Sequence, residues 1–298
     1  MSIKTKCPIC DTLGNSVVVY PSNIDETSFS TEVFSARRLP DRRHYQWVRC
    51  SSCTLLRSDP VLQIDLEKLY VESTFDYTTE INGLKKTYMN LVKKSLRHKK
   101  FINSIFEIGG GNGFFLEAAK DYGFKLIQGV EPSTQAINAA RSDIKPYMIP
   151  SMMKNGVLKP GSFEVGVMFH TLDHLTDPVQ TLKDSCDALI SGGVFIVAVH
   201  NERSWSARLM KKRSPIIDVE HTHLYTHKTG KMVFEKAGFI DVTTGTYSNN
   251  YSLAYLLHLV PVSRKLRKIV LKSYIGLILS KIKVVVPLGN MWIAGIKP

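Results

Sequence analysis

The sequence predicts an α/β protein: a seven-stranded, mostly parallel sheet with helices on both faces, behind a small N-terminal zinc ribbon. Three observations carry that expectation. From residue 104 to residue 246, short apolar runs alternate with helical stretches, the pattern of strands joined by crossover helices. Glycines cluster at the first of these strand-to-helix junctions. Near the N-terminus stand two Cys-x-x-Cys pairs.

The head comes first, over residues 1–58. Its pairs, Cys7-Pro8-Ile9-Cys10 and Cys50-Ser51-Ser52-Cys53, are separated by 39 residues. A two-residue spacer lets both thiolates of a pair turn onto one metal. Cys7, Cys10, Cys50 and Cys53 are therefore expected to hold a structural Zn²⁺ in a tetrahedron. Four protein ligands leave no coordination position for catalysis. Residues 17–20 and 45–49 alternate like ribbon strands between the knuckles. Cys186 falls at helical spacing with Val179, Leu182 and Leu189 and is read as a core residue.

Residues 59–100 read as a mostly helical connector or lid, with Phe75-Asp76-Tyr77 at its centre. The remainder, 101–298, reads as one domain. Strands are expected at 104–110, 125–131, 145–149, 163–169, 193–199, 239–246 and 291–296. Helices are expected at 114–122, 133–141, 178–190 and 228–237, the last closed by Gly238. The seventh strand returns to the sheet after a basic, amphipathic insertion at about 250–287.

Charge is unevenly placed. Lys and Arg number 39 against 26 Asp and Glu. Residues 82–106 hold seven basic side chains and 242–298 hold eight, and neither stretch has an acid. The rest of the chain is nearly balanced. A field concentrated in this way suits an anionic partner, whether nucleic acid, a phosphorylated substrate or a lipid surface. An apolar fraction of 44% excludes a disordered tail or a collagen-like fibre. The longest uncharged apolar stretch near the C-terminus, 249–263, contains His258 and Pro261 and is shorter than the roughly 18 residues of a membrane span. The first ten residues show no apolar core of a secretory signal. The expectation is a cytoplasmic chain, with peripheral contact at the inner face of a membrane as one use of its charge.

The sharpest local feature is Phe106-Glu107-Ile108-Gly109-Gly110-Gly111-Asn112-Gly113-Phe114, where an apolar strand meets a helix. Glycines there let the backbone pass beneath a ligand, and the helix N-terminus favours an anionic group. The G-x-G-x-x-G spacing of a nicotinamide turn fails, because Phe114 and Leu116 stand where the third glycine would be. The next strand ends in Glu131-Pro132, 18 residues past Gly113, where a carboxylate can receive both hydroxyls of a ribose.

At this point the sequence resembles the class I S-adenosylmethionine-dependent methyltransferases. The resemblance covers residues 104–248, through Glu107-x-Gly109-x-Gly111-x-Gly113, Glu131, the tract 163–178 and Leu189-Ile190-Ser191-Gly192-Gly193. The tract from Phe169-His170-Thr171-Leu172-Asp173-His174 to Pro178 is similar to the signature after the fourth strand in the ubiquinone-O-methyltransferase-like group. Members of that group with a paired-CxxC head often serve surface-polysaccharide biosynthesis. The resemblance implies a Rossmann-like sheet whose final strand runs antiparallel. It implies that Glu107, Gly109, Gly110, Gly111, Asn112 and Gly113 surround the methionine and ribose of the cofactor, and that Glu131 and Pro132 hold the ribose diol. It also implies that Phe169 and His170 line the cofactor and the acceptor. In one respect the chain departs from the family. After the third strand, where an acid often receives the adenine amine, it reads Ile149-Pro150-Ser151-Met152-Met153.

Candidate bases come from a dense Glu/His cluster after the fifth strand, which holds His200-Asn201-Glu202, Trp205 and then Val219-Glu220-His221-Thr222-His223-Leu224-Tyr225. An imidazole titrates near neutrality and can take a hydroxyl proton as the methyl arrives. His223 is the first choice as base or acceptor-orienting residue, followed by His221 and Glu220, with His170 as a further candidate. Only one of His221 and His223 is expected to face the cofactor. Asp173 and His174 are read as capping and packing the turn after the fourth strand. A metal site there would need His170, Asp173 and His174 to converge.

The leading reading is methyl transfer from S-adenosylmethionine to a hydroxyl of a small acceptor: a sugar, a glycolipid or a surface-polysaccharide precursor, anionic or lipid-linked. The alternative is an RNA methyltransferase using the basic surface. Against it, the tract after the fourth strand lacks the Asn/Asp-Pro-Pro-aromatic motif that stacks a target base. A non-catalytic scaffold is the third reading, and an intact glycine turn with Glu131 weighs against it.

Overall fold

The computed structural model describes residues 2–24, 43–62, 81–96, 103–254, 273, 276, 278–279 and 282–298. Phe75-Asp76-Tyr77, Arg97, Lys99, Lys100 and the basic run 264–272 lie outside the described residues.

The head contains β1 (Ser2–Ile3), β2 (Ser16–Tyr20), β3 (Trp47–Cys50), β4 (Leu56–Ser58) and β5 (Val61–Leu62). Strands β2, β3 and β4 form an antiparallel ribbon, and β1 pairs with β5. The two knuckles are built alike. Asp11 N–H donates to Cys7 O in the first, and Thr54 N–H to Cys50 O in the second. In the connector, α1 (Ile81–Ser95) buries Leu84, Tyr88, Leu91 and Val92 along one face. Lys85 on its outer side pairs with Glu117 at 2.5 Å.

The large sheet follows from a run of apolar strands. In chain order come β6 (Ser104–Ile108), α2 (Phe114–Tyr122), β7 (Leu126–Val130), α3 (Thr134–Asn138), β8 (Met148–Ile149) and β9 (Phe163–Phe169). Then come α4 (Pro178–Ala188), β10 (Leu189–His200), α5 (Trp205–Met210), β11 (His223–Leu224), α6 (His227–Lys236), β12 (Ile240–Ser252) and β13 (Lys283–Ile296). Every residue of β6 is buried and all but one of β9, as expected of strands covered on both faces. Helix ends follow their capping chemistry. The Asp177 side chain accepts from Gln180 N with Pro178 in the first turn of α4, and Gly123 at φ 115° closes α2.

Seven strands lie in the order β12-β13-β10-β9-β6-β7-β8. Strands β8, β7, β6, β9 and β10 pair in parallel, while β13 is antiparallel to both β10 and β12. The chain reverses its direction of growth between β6 and β9, and the carboxyl ends at such a switch point are where open α/β sheets bind ligands.

Three local expectations are corrected. Residues 145–147 form a 3-10 turn, so only Met148–Ile149 join the sheet; Pro146 has no N–H to give a ladder. Helix α4 stops at Ala188, short of Ile190, and β10 begins at Leu189 opposite Phe163, four residues before the expected start at Gly193. Strands β12 and β13 extend their hairpin out to the pair Ser252–Lys283, taking residues assigned to the insertion.

The segment between β10 and α6 is joined to the head by backbone. Strand β11 pairs with β4, giving a four-stranded order β11-β4-β3-β2. Arg49 donates to both oxygens of Glu202, at 2.8 and 3.2 Å, across the same seam.

Candidate active site

The turn after β6 is held open for a ligand. Gly109, Gly111 and Gly113 have φ of 71°, 52° and 70°, the left-handed region that side chains disfavour. At Gly109 a Cβ would also collide with Thr171 Oγ1, so the turn lies directly against the segment leaving β9. Gly109 N–H donates to Val130 O at 2.8 Å, fixing the turn to the end of β7.

Glu131 fastens this turn from the other side. Its Oε2 accepts from Gly111 N–H and its Oε1 from Ser133 N–H, both at 2.8 Å. Burial raises the Glu131 carboxyl while those two N–H groups pull it down, and burial prevails. Glu107 is more extreme. It is buried, and burial together with the Glu131 charge raises it well above the usual carboxylate range. Its Oε2 and the Oδ1 of Asn112 are buried without a hydrogen-bond partner among the described residues. Two bare acceptors in one glycine turn call for a ligand that brings donors.

Across the switch point, His170 directly follows β9 at φ 52°, a backbone conformation costly for a residue with a side chain. His170 N–H still donates to Ala198 O, and Nε2 meets Tyr247 Oη at 2.9 Å. Behind it the imidazoles follow one another. Ring centroids are 4.7 Å apart for His170–His200, 5.3 Å for His200–His221 and 4.6 Å for His221–His174. Asp173 lies among them, wholly buried. Its burial opposes ionisation, yet the surrounding His174, His221, His200 and His170 hold it down at about 2. Burial also works against a charged His221, but Asp218, Asp173 and Glu220 overcome it and push the ring up to about 9. His200 goes the other way, lowered by burial to about 4.

In the head, the sulfurs of Cys7, Cys10, Cys50 and Cys53 all lie within 4.8 Å of one another. Ligands about 2.3 Å from one zinc would stand roughly 3.8 Å apart, and the Cys7–Cys53 and Cys10–Cys50 separations are 3.4 and 3.9 Å. The donor set fits a zinc ribbon.

Residues 82–244, more than half of the chain, match the family model described as a methyltransferase domain. The chain belongs to that family. The match begins inside the segment read from sequence as a connector, so α1 is part of the family domain. Among solved structures, the Haloferax volcanii complex of the Trm112 methyltransferase activator with its methyltransferase aligns at 16% identity and a TM-score of 0.51. That alignment covers 73% of this chain and 93% of the other. An S-adenosylmethionine-dependent methyltransferase of Thermotoga maritima aligns at 20% identity and a TM-score of 0.48, over 74% and 90% of the two chains. Phosphoethanolamine N-methyltransferase 2 of Haemonchus contortus, with S-adenosyl-L-methionine, aligns at 15% and 0.49, over 86% and 65%. No curated protein matches the sequence.

The chain is thus a class I S-adenosylmethionine-dependent methyltransferase, and the glycine turn fits that cofactor. Glu107 Oε2 and Asn112 Oδ1 are acceptors without donors, Glu131 offers two carboxylate oxygens, and Gly109 leaves no side chain in the way. The other residues named from sequence take varied places. Pro132 lies half-buried beside Glu131. Phe169 stacks on Tyr88 at 4.0 Å and meets Phe115 edge-on, so it packs beneath α1. His221 joins the imidazole cluster. His223 lies in β11 opposite Arg57, and its Nδ1 donates to Leu175 O at 3.1 Å. It belongs to the seam with the head, lowered by burial to about 4. Glu220 is half-buried in the turn before β11. Tyr88, Tyr247 and Asp218 were not signalled by any motif, and Thr171 was signalled only as a member of the tract after the fourth strand. His200, read from sequence with the insertion after the fifth strand, is the last residue of β10.

Proposed function

We propose that this methyltransferase acts on a hydroxyl of a small acceptor, with His170 as the base. One observation carries the reading: a half-buried imidazole is held at a strained backbone position directly before Thr171, which touches the glycine turn at Gly109. Among the four candidates, His221 and His223 are buried, whereas His170 and Glu220 retain exposure. Only His170 adjoins the turn.

S-adenosylmethionine, when bound, supplies an activated methyl group on a sulfonium. The chain's part is to hold the acceptor in line and keep water out. Glu131 would receive the ribose hydroxyls and Glu107 with Asn112 the donors of the methionine end. Tyr88, stacked over Phe169, closes the side toward α1. In the tautomer where His170 Nε2–H donates to Tyr247 Oη, Nδ1 is the atom that takes the hydroxyl proton.

The acceptor class follows from charge. Eight basic residues and no acid in 242–298 favour an anionic, phosphate-bearing acceptor such as a lipid-linked sugar of surface-polysaccharide synthesis. No helix among the described residues is long and apolar enough to cross a membrane, so contact with anionic lipid would be peripheral. The four cysteines are proposed to hold Zn²⁺ as a brace for the head.

Transfer of labelled methyl from S-adenosylmethionine tests the reading, with lipid-linked and nucleotide sugars offered beside ribosomal and transfer RNA. Alkali-stable label on a sugar hydroxyl is the expected product. His170→Ala should lower turnover by about 10²–10⁴-fold with cofactor affinity unchanged. Label on RNA alone, or full turnover of the variant, would sink the proposal.

A further inference from the structure

A second group of side chains, outside the cofactor turn, is arranged as a metal centre. Neither oxygen of the wholly buried Asp173 has a hydrogen-bond partner among the described residues. An ionised carboxylate left so costs several kcal/mol unless a cation shares its space. The nearest charged partners are imidazoles: His174 Nε2 lies 3.8 Å from Oδ1, and His221 Nε2 lies 3.7 Å from Oδ2. Both separations exceed a hydrogen bond. Atoms that share one ion at about 2.0–2.2 Å stand roughly 3–4 Å apart, which is where these lie.

The His221 ring is also turned correctly. His221 Nδ1–H donates to Asp218 Oδ1 at 2.8 Å, which aims Nε2 at Asp173. A histidine that ligates through one nitrogen commonly gives its other N–H to a carboxylate or carbonyl. The ligand atoms of Asp173, His174 and His221 all lie within 4.8 Å of one another, as do those of His170, Asp173 and His200. The contiguous triplet His170-Asp173-His174 is not itself a set. His221 completes the first group from 47 residues further on, and Thr222 N–H, donating to Asp173 O at 2.8 Å, holds it there.

We propose that Asp173, His174 and His221, with His200 beside them, bind a divalent first-row transition ion. Two imidazoles and one carboxylate suit zinc, iron(II), manganese or cobalt, whereas calcium and magnesium prefer oxygen throughout. The centre is separate from the cysteine head, and its chemistry distinguishes the two.

Cobalt(II) is the probe. Full-length protein, stripped of metal under reducing conditions, is titrated with cobalt(II) and followed by bound metal and visible absorption. Cobalt at the cysteines produces thiolate charge-transfer absorption, and cobalt at imidazole and carboxylate does not. The expected result is one ion per chain without the thiolate signature, lost in Asp173→Asn and in His221→Gln. Asp218→Asn should weaken that ion about 10–100-fold. Unchanged S-adenosylmethionine affinity shows that each variant is folded. Wild-type protein that takes up cobalt only with the thiolate signature overturns the proposal without recourse to any variant. Retention of the second ion by Asp173→Asn overturns it equally.

Discussion

Glu131 and Asp173 are both buried at the carboxyl ends of the same sheet, two strands apart, and their surroundings treat them in opposite ways. Glu131 accepts two backbone N–H groups, from Gly111 and Ser133, and its carboxylate finishes a turn. Asp173 accepts none and is ringed by imidazoles that come from separate stretches of chain. A carboxylate satisfied by backbone positions a neutral or cationic organic ligand by hydrogen bonds. A carboxylate left without hydrogen bonds among imidazole nitrogens offers, with them, a ligand set for a metal ion. The difference teaches that burial alone does not reveal a carboxylate's role; its partners do.

The two regions touch at Gly109 and Thr171, and pressure there gives the largest expected effect. Gly109→Ala would force a Cβ into Thr171 at φ 71°. Left-handed strain and overpacking together should cost about 2–4 kcal/mol, read by urea denaturation. Both cofactor and cobalt affinity should fall, since the segment leading to Asp173 must move. A variant of wild-type stability would mean that the turn yields easily, and the two sites would then be mechanically separate.

Next in size is the dissociation between the two carboxylates. Glu131→Ala should weaken S-adenosylmethionine binding about 10–100-fold, the worth of one or two lost hydrogen bonds to a charged group, and leave the non-thiolate cobalt ion in place. Asp173→Asn should do the reverse. Calorimetric titration of both ligands against both variants makes the check. If either variant loses both ligands, the two regions form one site.

How far each region could be read from sequence follows the same division. Gly109, Gly113 and Glu131 lie on consecutive strand ends within one βαβ unit, so spacing along the chain is also spacing in the fold. The cysteine pairs are legible for the same reason, since each knuckle is four residues long. The histidine cluster is not contiguous. Asp173 reads as a capping residue until β11 pairs with β4 and brings His221 across to it. His223 was preferred to His221 because sequence gives no sign that β11 would join the sheet of the head and draw His223 into that seam. The 3-10 turn before β8 was legible in Pro146, whereas the early start of β10 depends on pairing with Phe163, a contact that periodicity does not record.

The smallest effect sharpens the contrast within the glycine turn itself. Glu107 is raised well above the usual range by burial, with the Glu131 charge adding to it, whereas the imidazoles around Asp173 hold that carboxyl down. The folded pKa of Glu107 exceeds its unfolded value, so the folded chain binds its proton more tightly. The resulting stabilisation is complete below the ordinary glutamate pKa of about 4.3 and is lost as pH rises through the raised value. Glu107→Gln replaces the acid with a neutral group of the same shape and removes that dependence. Relative to wild type without cofactor, the variant should gain stability as pH rises, by at most about 1.4 kcal/mol per pH unit, and level off once wild-type Glu107 has ionised. Urea denaturation of both proteins between about pH 5 and pH 8 measures the difference. A gap that stays constant across that range would show Glu107 to be ionised like Asp173, and the glycine turn would then carry two charges where its geometry has donors for one.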